Sequence, residues 1–115
     1  MSNMTLYGPP QFISEIESDR DGAAAAGARM VRAPGEKTLA GDALLTTLAI
    51  IGYADNTIGV YSFIANNIRK WLKRRNIAGP LEFKILHDQA LVSVTINPEW
   101  DAEKIVSHLR DKLGH

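Results

Sequence analysis

The sequence contains no cysteine among its 115 residues. Disulfides, thiolate metal sites and cysteine nucleophiles are therefore excluded, and the composition fits a reducing, cytoplasmic location. The chain also lacks an apolar run long enough to cross a membrane, which takes about 20 residues. The longest candidate, 43–54, is bracketed by Asp42 and Asp55. Residues 1–10 have neither a basic start nor an apolar run, so we expect no secretory leader.

Motifs that would indicate an enzyme are missing as well. His87, His108 and His115 are not joined by a metal-ligand spacing, and no serine has the flanking glycines of a nucleophile elbow. The acids of 14–21 lack the glycine and the spacing of a calcium loop. We therefore predict no catalytic residue, no metal, no cofactor and no small-molecule substrate, and expect the exterior of the protein to carry its function.

Charge is unevenly distributed, although the net charge is zero. Residues 1–55 hold seven acids and four bases, and residues 81–115 hold six acids and four bases. Residues 56–80 between them hold five bases and no acid. Such asymmetry can steer an acidic partner, or it can be neutralised within the fold or by another copy of the chain.

The length and the hydrophobic fraction of 45% indicate a single domain over residues 1–115. Residues 1–28 have the least regular pattern. There we predict a strand over 4–8, a short helix or turn over 11–22 and a loop over 21–28, followed by a strand over 29–33.

The central and C-terminal patterns are clearer. Within the segment from Thr38 to Asn56, apolar residues would lie on nearly all sides of a helix, which predicts a buried helix. Apolar residues spaced three and four apart over 57–75 predict a second helix. The two would form an antiparallel helical hairpin. Strict alternation over 81–96 predicts a β-hairpin, and 99–113 predicts a last helix capped near Asp101. The predicted fold is α+β, a small sheet packed against a helical hairpin and a C-terminal helix.

The basic segment is the strongest candidate site. Its five cations are expected in the last two turns of the second helix: Arg69, Lys70, Lys73, Arg74 and Arg75. Three readings remain open. The cations can simply suit the negative pole of the helix dipole, contact an acidic protein, or contact phosphates of nucleic acid. The neutral overall charge argues against nucleic acid.

The two tryptophans are expected in different environments. Trp71 lies on the apolar stripe with Ile64 and Ile68, so we predict that it packs in the core. Trp100 lies outside the register of Ile105 and Leu109, beside a helix start. Partial exposure there would suit an anchor for a protein partner.

Four segments together resemble a known family. They are "RMVRAPGEKTLAGDALLTTLAI", "IANNIRKWLKRRN", "LEFKILHDQALVSVTI" and "DAEKIVSHLRDKL". This succession resembles the bacterial effector-associated constant component family over about residues 29–113. Those small α+β domains occur in conflict and defence loci and are thought to act as adaptors beside caspase-like or trypsin-like effectors. The resemblance implies a protein-binding module and no catalytic residue.

The sequence therefore predicts a non-enzymatic adaptor of a bacterial defence-type system, which binds a protein effector through the basic residues 69–75 and Trp100. Self-association is expected too, with the acidic residues 14–21 of one copy against residues 69–75 of the next. Two alternatives stay open: an immunity or antitoxin-type inhibitory partner, and a small nucleic-acid-binding protein that uses the basic helix end.

Overall fold

The computed structural model describes residues 3–32, 38–40, 43–51, 57–75, 79–87 and 89–113. These residues form an α+β domain, as predicted. In chain order its elements are β1 (Asn3–Gly8), α1 (Pro10–Ser18), α2 (Arg20–Ala25), β2 (Arg29–Arg32), β3 (Thr38–Ala40), β4 (Ala43–Ile51), α3 (Thr57–Arg75), β5 (Leu81–His87), β6 (Ala90–Ile96) and α4 (Ala102–Leu113).

The strands form one antiparallel sheet in the order β2-β4-β1-β5-β6, and β3 pairs with the start of β4. Alternate residues of β5 are buried, and partners on β1 and on the second half of β6 are buried with them. Met4 pairs with His87, Leu6 with Ile85, and Phe83 with Val94. Because paired residues point to the same side of a sheet, these side chains define one apolar face.

Three helices cover this face. Apolar residues at helical spacing on α1, α3 and α4 are fully buried against it, among them Ile13, Ile64 and Ile105. The ring of Phe12 joins the layers, since its centroid lies 5.7 Å from that of Trp71 on α3 and 5.3 Å from that of Phe83 on β5. The prediction that Trp71 is a core residue is confirmed, because it is only 8% exposed.

The end of β1 packs so tightly against the rings of Phe12 and Phe83 that a side chain there would force its neighbours to shift. A Cβ added at Gly8 would lie 3.0 Å from the Phe12 ring and 3.4 Å from the Phe83 Cβ. Glycine therefore lets β1 pass directly beneath the rings before Pro9 and Pro10 end the strand and begin α1.

The predicted central helical hairpin is wrong in its first half. Residues 38–40 and 43–51 are strands, and only the second predicted helix exists, as α3. An apolar run of this length fits a buried strand as well as a buried helix. Threonine and isoleucine supply four of the nine residues of β4, and β4 is central in the sheet, where β-branched residues pack well. The predicted end of that helix, 52–56, lies outside the described residues.

The loop predicted over 21–28 is also partly wrong, because α2 occupies Arg20–Ala25. Alanine favours helix, and the Asp19 side chain caps α2 by accepting a hydrogen bond of 3.0 Å from the Gly22 backbone N–H. The chain then turns at Gly27, whose φ of 72° suits glycine.

The other predicted elements are confirmed with small changes of boundary. α1 is a helix with Phe12, Ile13 and Ile16 buried, and β1, β2 and the β5–β6 hairpin occur where predicted. The last helix begins at Ala102 instead of Glu99. Asp101 caps it, since its Oδ1 accepts a 2.8 Å hydrogen bond from the Lys104 backbone N–H.

Replacement of Phe12 tests how far the fold depends on the aromatic contact between the layers. We expect Phe12→Ala to lower the free energy of unfolding by about 3–5 kcal/mol, because it removes a fully buried ring that touches α3 and β5. Urea denaturation measures the change. Gln11→Ala, at the exposed neighbouring position on α1, is the control and should change it by less than about 0.5 kcal/mol. Equal effects of the two substitutions would contradict this account of the core.

Candidate functional site

The cationic end of α3 is partly engaged by the rest of the chain. Arg69 is half-buried, and its Nη1 donates a 2.9 Å hydrogen bond to the Pro98 carbonyl, in the turn between β6 and α4. Arg69 therefore ties α3 to the C-terminal part of the domain. Its guanidinium is less available to a partner than the sequence suggests.

Arg74 makes an ion pair with α1. Its Nη1 lies 3.0 Å from Oε2 of Glu15; the Arg74 side chain is 68% exposed and that of Glu15 13% exposed. The pair is therefore open to solvent mainly on its Arg74 side, and the Glu15 carboxylate is mostly buried. Lys70 and Lys73 are exposed on the same part of α3, and the side chain of Arg75 lies outside the described residues.

A buried hydrogen-bond network joins α3 to the acidic segment. Asn67, 1% exposed, donates 3.0 Å to Oδ2 of Asp19 and 2.9 Å to the Phe63 carbonyl. The Asn67 hydrogen bond is the main cause that lowers the pKa of Asp19 below its ordinary value of 3.8, and the Gly22 N–H and the charge of Lys70 act in the same direction against burial. A Cβ on Gly22 would overlap the Asp19 carboxylate, so a larger residue there would displace the Asp19 side chain from this network.

These contacts bear on the predicted contact between copies. The acidic segment 14–21 does meet the basic segment 69–75, but it does so within one chain, through Glu15 with Arg74 and through the charge of Lys70 near Asp19. The opposite signs of the two segments are accounted for by the packing of α1 and α2 against α3. They give no separate reason for one copy to contact the next through these residues.

Trp100 is half-buried and packs against the edge of the core. Its ring centroid lies 4.9 Å from that of His108, and the Lys104 Nζ lies 5.7 Å from the centroid of Trp100. Trp100 therefore sits on one side of α4, between a histidine and a cation. Part of the ring remains accessible, as expected, although it does not project from the surface.

His108 is held in an environment that disfavours its charged form. Its Nε2 is buried and has no hydrogen-bond partner among the described residues. Burial is the main cause that lowers the pKa of the imidazole below its ordinary value of 6.5; the cations Lys112 and Lys104 add to this, and Asp111 opposes it. The contact of His108 with Trp100 was not predicted from the sequence.

The other face of the sheet carries two exposed apolar side chains, and sequence reasoning missed it. Val31 and Leu91 are exposed by 45% and 55%. They lie at opposite ends of one row of paired residues, in which Val31 and Thr5 both pair with Ala49, and Leu86 pairs with both Thr5 and Leu91. We call this surface the open face. The alternation of apolar and polar residues in β5 and β6 was the available signal for this face, because the polar residues Glu82, Ser93 and Thr95 lie on it.

A site for small ligands has little support in the described part of the chain. No three histidine, aspartate or glutamate side chains come close enough there to hold a metal ion. A hollow of about 310 Å³ lies between α2 and β2 and is lined by residues such as Glu17, Arg20 and Met30. Within the same residues, no helix has the length and apolar character needed to cross a membrane.

Comparisons with known proteins add no relative. No protein-family profile, no curated protein and no solved structure matches the chain.

The environment of His108 predicts a pH-dependent stability. Since the folded state binds the imidazole proton less tightly than the unfolded chain, the unfolded chain holds more protons between the folded-state pKa and 6.5. The free energy of unfolding should therefore fall as the pH drops through 6.5 and level off below the folded-state pKa. Urea midpoints over this range should show a smaller slope in His108→Asn. An unchanged slope in the variant would contradict the assignment.

Proposed function

We propose that this chain is a non-enzymatic protein-interaction domain, an adaptor that binds a protein effector. The observation that carries the proposal is the open face. The apolar side chains of Val31 and Leu91 are about half exposed there, and half-buried Thr5 and Leu86 lie between them in the same row. Both side chains lie on the same side of the sheet, so a protein partner that spans this row of paired residues would contact both.

The charged surface supports the same class of function. Lys70, Lys73 and Arg74 are exposed at the end of α3, on the helical side of the domain. The domain thus offers a mixed surface with the exposed side chains of Val31 and Leu91 on one side and a cationic surface on the other. An adaptor needs to bind more than one partner, and an acidic protein would be attracted to the cations while the open face binds the effector.

The resemblance to the effector-associated constant component family motivates the choice of partner. Domains of that family are thought to act beside caspase-like or trypsin-like effectors in defence loci. The hairpin over 81–96 and the Asp-capped last helix match the order that carries the resemblance, whereas the apolar segment after residue 38 forms strands. We accordingly propose a protease-like or caspase-like effector of a bacterial defence system as the partner.

Binding to the protein encoded beside the gene tests this function. We expect a purified protease-like or caspase-like neighbour to bind the wild-type chain, and Val31→Asp to weaken binding at least about tenfold, because it places a charge in the apolar contact. Calorimetry measures the affinity. Val31→Thr, which keeps a β-branched side chain on β2, is the control and should bind within a few-fold of wild type.

Two outcomes would contradict the proposal. One is equal affinity for wild type and Val31→Asp, with both folded. The other is a neighbour that is a toxin silenced by the chain, which would favour the inhibitory alternative. A gel shift with DNA that is lost in Lys73→Glu, without any protein partner, would favour the nucleic-acid alternative instead.

A further inference from the structure

The strand β6 forms an edge of the sheet that lacks the usual protection. It lies at the end of the strand order and pairs with β5 without interruption, from Leu81 with Ile96 to His87 with Ala90. Its seven residues, ALVSVTI, include no charge, no proline and no glycine. Edge strands are usually protected by lysine, proline, bulges or short length, since their unpaired backbone groups attract other strands.

The opposite edge shows the contrast. β2 has only four residues and carries an arginine at each end, Arg29 and Arg32. Charge and shortness there discourage pairing with another chain. The unprotected edge is therefore a property of β6 and not of the sheet as a whole.

The hairpin determines which backbone groups of β6 point outward. His87 and Ala90 close a two-residue loop, and such closing residues form a hydrogen-bonded pair. Alternation along an antiparallel pair then directs the N–H and C=O groups of Leu91, Ser93 and Thr95 away from β5. No turn, loop or cap among the described residues hydrogen-bonds to these three, and their side chains are exposed.

We propose that β6 pairs antiparallel with β6 of a second copy of this chain, with a two-fold axis at Ser93. Ser93 then faces Ser93 of the second copy, and Leu91 faces Thr95. Each residue whose backbone groups point outward then pairs with such a residue of the other copy, which gives about six backbone hydrogen bonds. The two sheets become one continuous sheet, and both helical layers lie on the same side of it.

The side chains suit this register. On the open face Leu91 meets Thr95 and Ser93 meets itself, while Val92 meets Val94 on the helical side. Val92 is only half-buried within one chain, so pairing would cover it further. Apolar and β-branched cross-strand pairs of this kind are favourable, and like charges directly opposite would be unfavourable.

Charges on the neighbouring strand do not oppose the pairing. Lys84 on β5 pairs with Ser93, so the two copies of Lys84 lie three strand spacings apart, about 14 Å. That separation exceeds the Debye length of about 8 Å at physiological ionic strength. An uncharged, self-complementary strand therefore favours a second copy over a peptide of different sequence. The proposal goes beyond the adaptor function, because it requires no effector.

Proline at the two-fold axis tests the pairing directly. Ser93→Pro removes an N–H that points outward, so the β5–β6 hydrogen bonds remain while two bonds across the axis are lost. Sedimentation of the purified chain over about a hundredfold range of concentration should show a monomer–dimer equilibrium in wild type. The variant should dimerise at least about tenfold more weakly. Far-ultraviolet circular dichroism checks that it remains folded.

A pair of charged variants gives a second test that does not depend on proline. Ser93→Lys and Ser93→Glu should each be largely monomeric, because like charges meet at the axis, and a mixture of the two should dimerise again. Ser14→Lys makes the same chemical change at an exposed position on α1 and should dimerise like wild type.

Three results would overturn the proposal. One is a wild-type chain that stays monomeric throughout the concentration range. The second is dimerisation unaffected by Ser93→Pro and Ser93→Lys, which would place the interface elsewhere. The third is a mixture of the charged variants that remains monomeric although each alone is folded. Each result leaves the effector-binding test unchanged, since that test uses Val31 and a different protein.

Discussion

Burial of one face of the sheet beneath α1, α3 and α4 is the interaction on which the rest of the structure depends. Fully buried side chains such as Leu6, Ile64 and Ile85 lie between the layers. Each contributes about 1.5–3 kcal/mol relative to an exposed position. These three helices cover one face only, and described side chains on the opposite face, such as Val31 and Leu91, are exposed. The surfaces to which we assign function follow from this one-sided cover.

The same packing explains why the basic segment is less conspicuous in three dimensions than in the sequence. α3 must lie against α1 and α2 to cover the sheet, and this brings its polar side to the acids of those helices. Asn67 reaches Asp19, and Arg74 reaches Glu15. Part of the charge contrast along the chain is therefore internal. Exposed cations such as Lys70 and Lys73 still form a positively charged surface that can attract an acidic partner.

The sequence was informative where the spacing of apolar residues fitted either a strand or a helix but not both. Alternation in β5 and β6 and the three- and four-residue spacing in α3 each fit one kind of element, and both predictions hold. The segment 43–51 has apolar residues on every side in either conformation, so periodicity could not distinguish a central strand from a buried helix. Its β-branched residues and the Gly41-Asp42 dipeptide, which joins Ala40 to its partner Ala43, were the available signals.

The candidate surfaces could be predicted only in part. The sequence indicated the cations of α3 and the partial burial of Trp100, because charge and helical register are local properties. It did not indicate the open face, since Val31 and Leu91 are far apart in sequence. They belong to one row only because β4, β1 and β5 pair between their strands. Strand order is set by tertiary packing, and the location of an edge strand depends on it.

Residue-resolved amide hydrogen exchange along β6 tests most directly the claim that the β6 edge of the sheet is not covered by the chain itself. In dilute solution the amides of Leu91, Ser93 and Thr95 should exchange quickly while those of Val92, Val94 and Ile96 are protected. At high protein concentration, where the proposed dimer forms, all six amides should be protected. Uniform protection of the six amides in dilute solution would contradict the account, because it would mean that the chain covers its own edge.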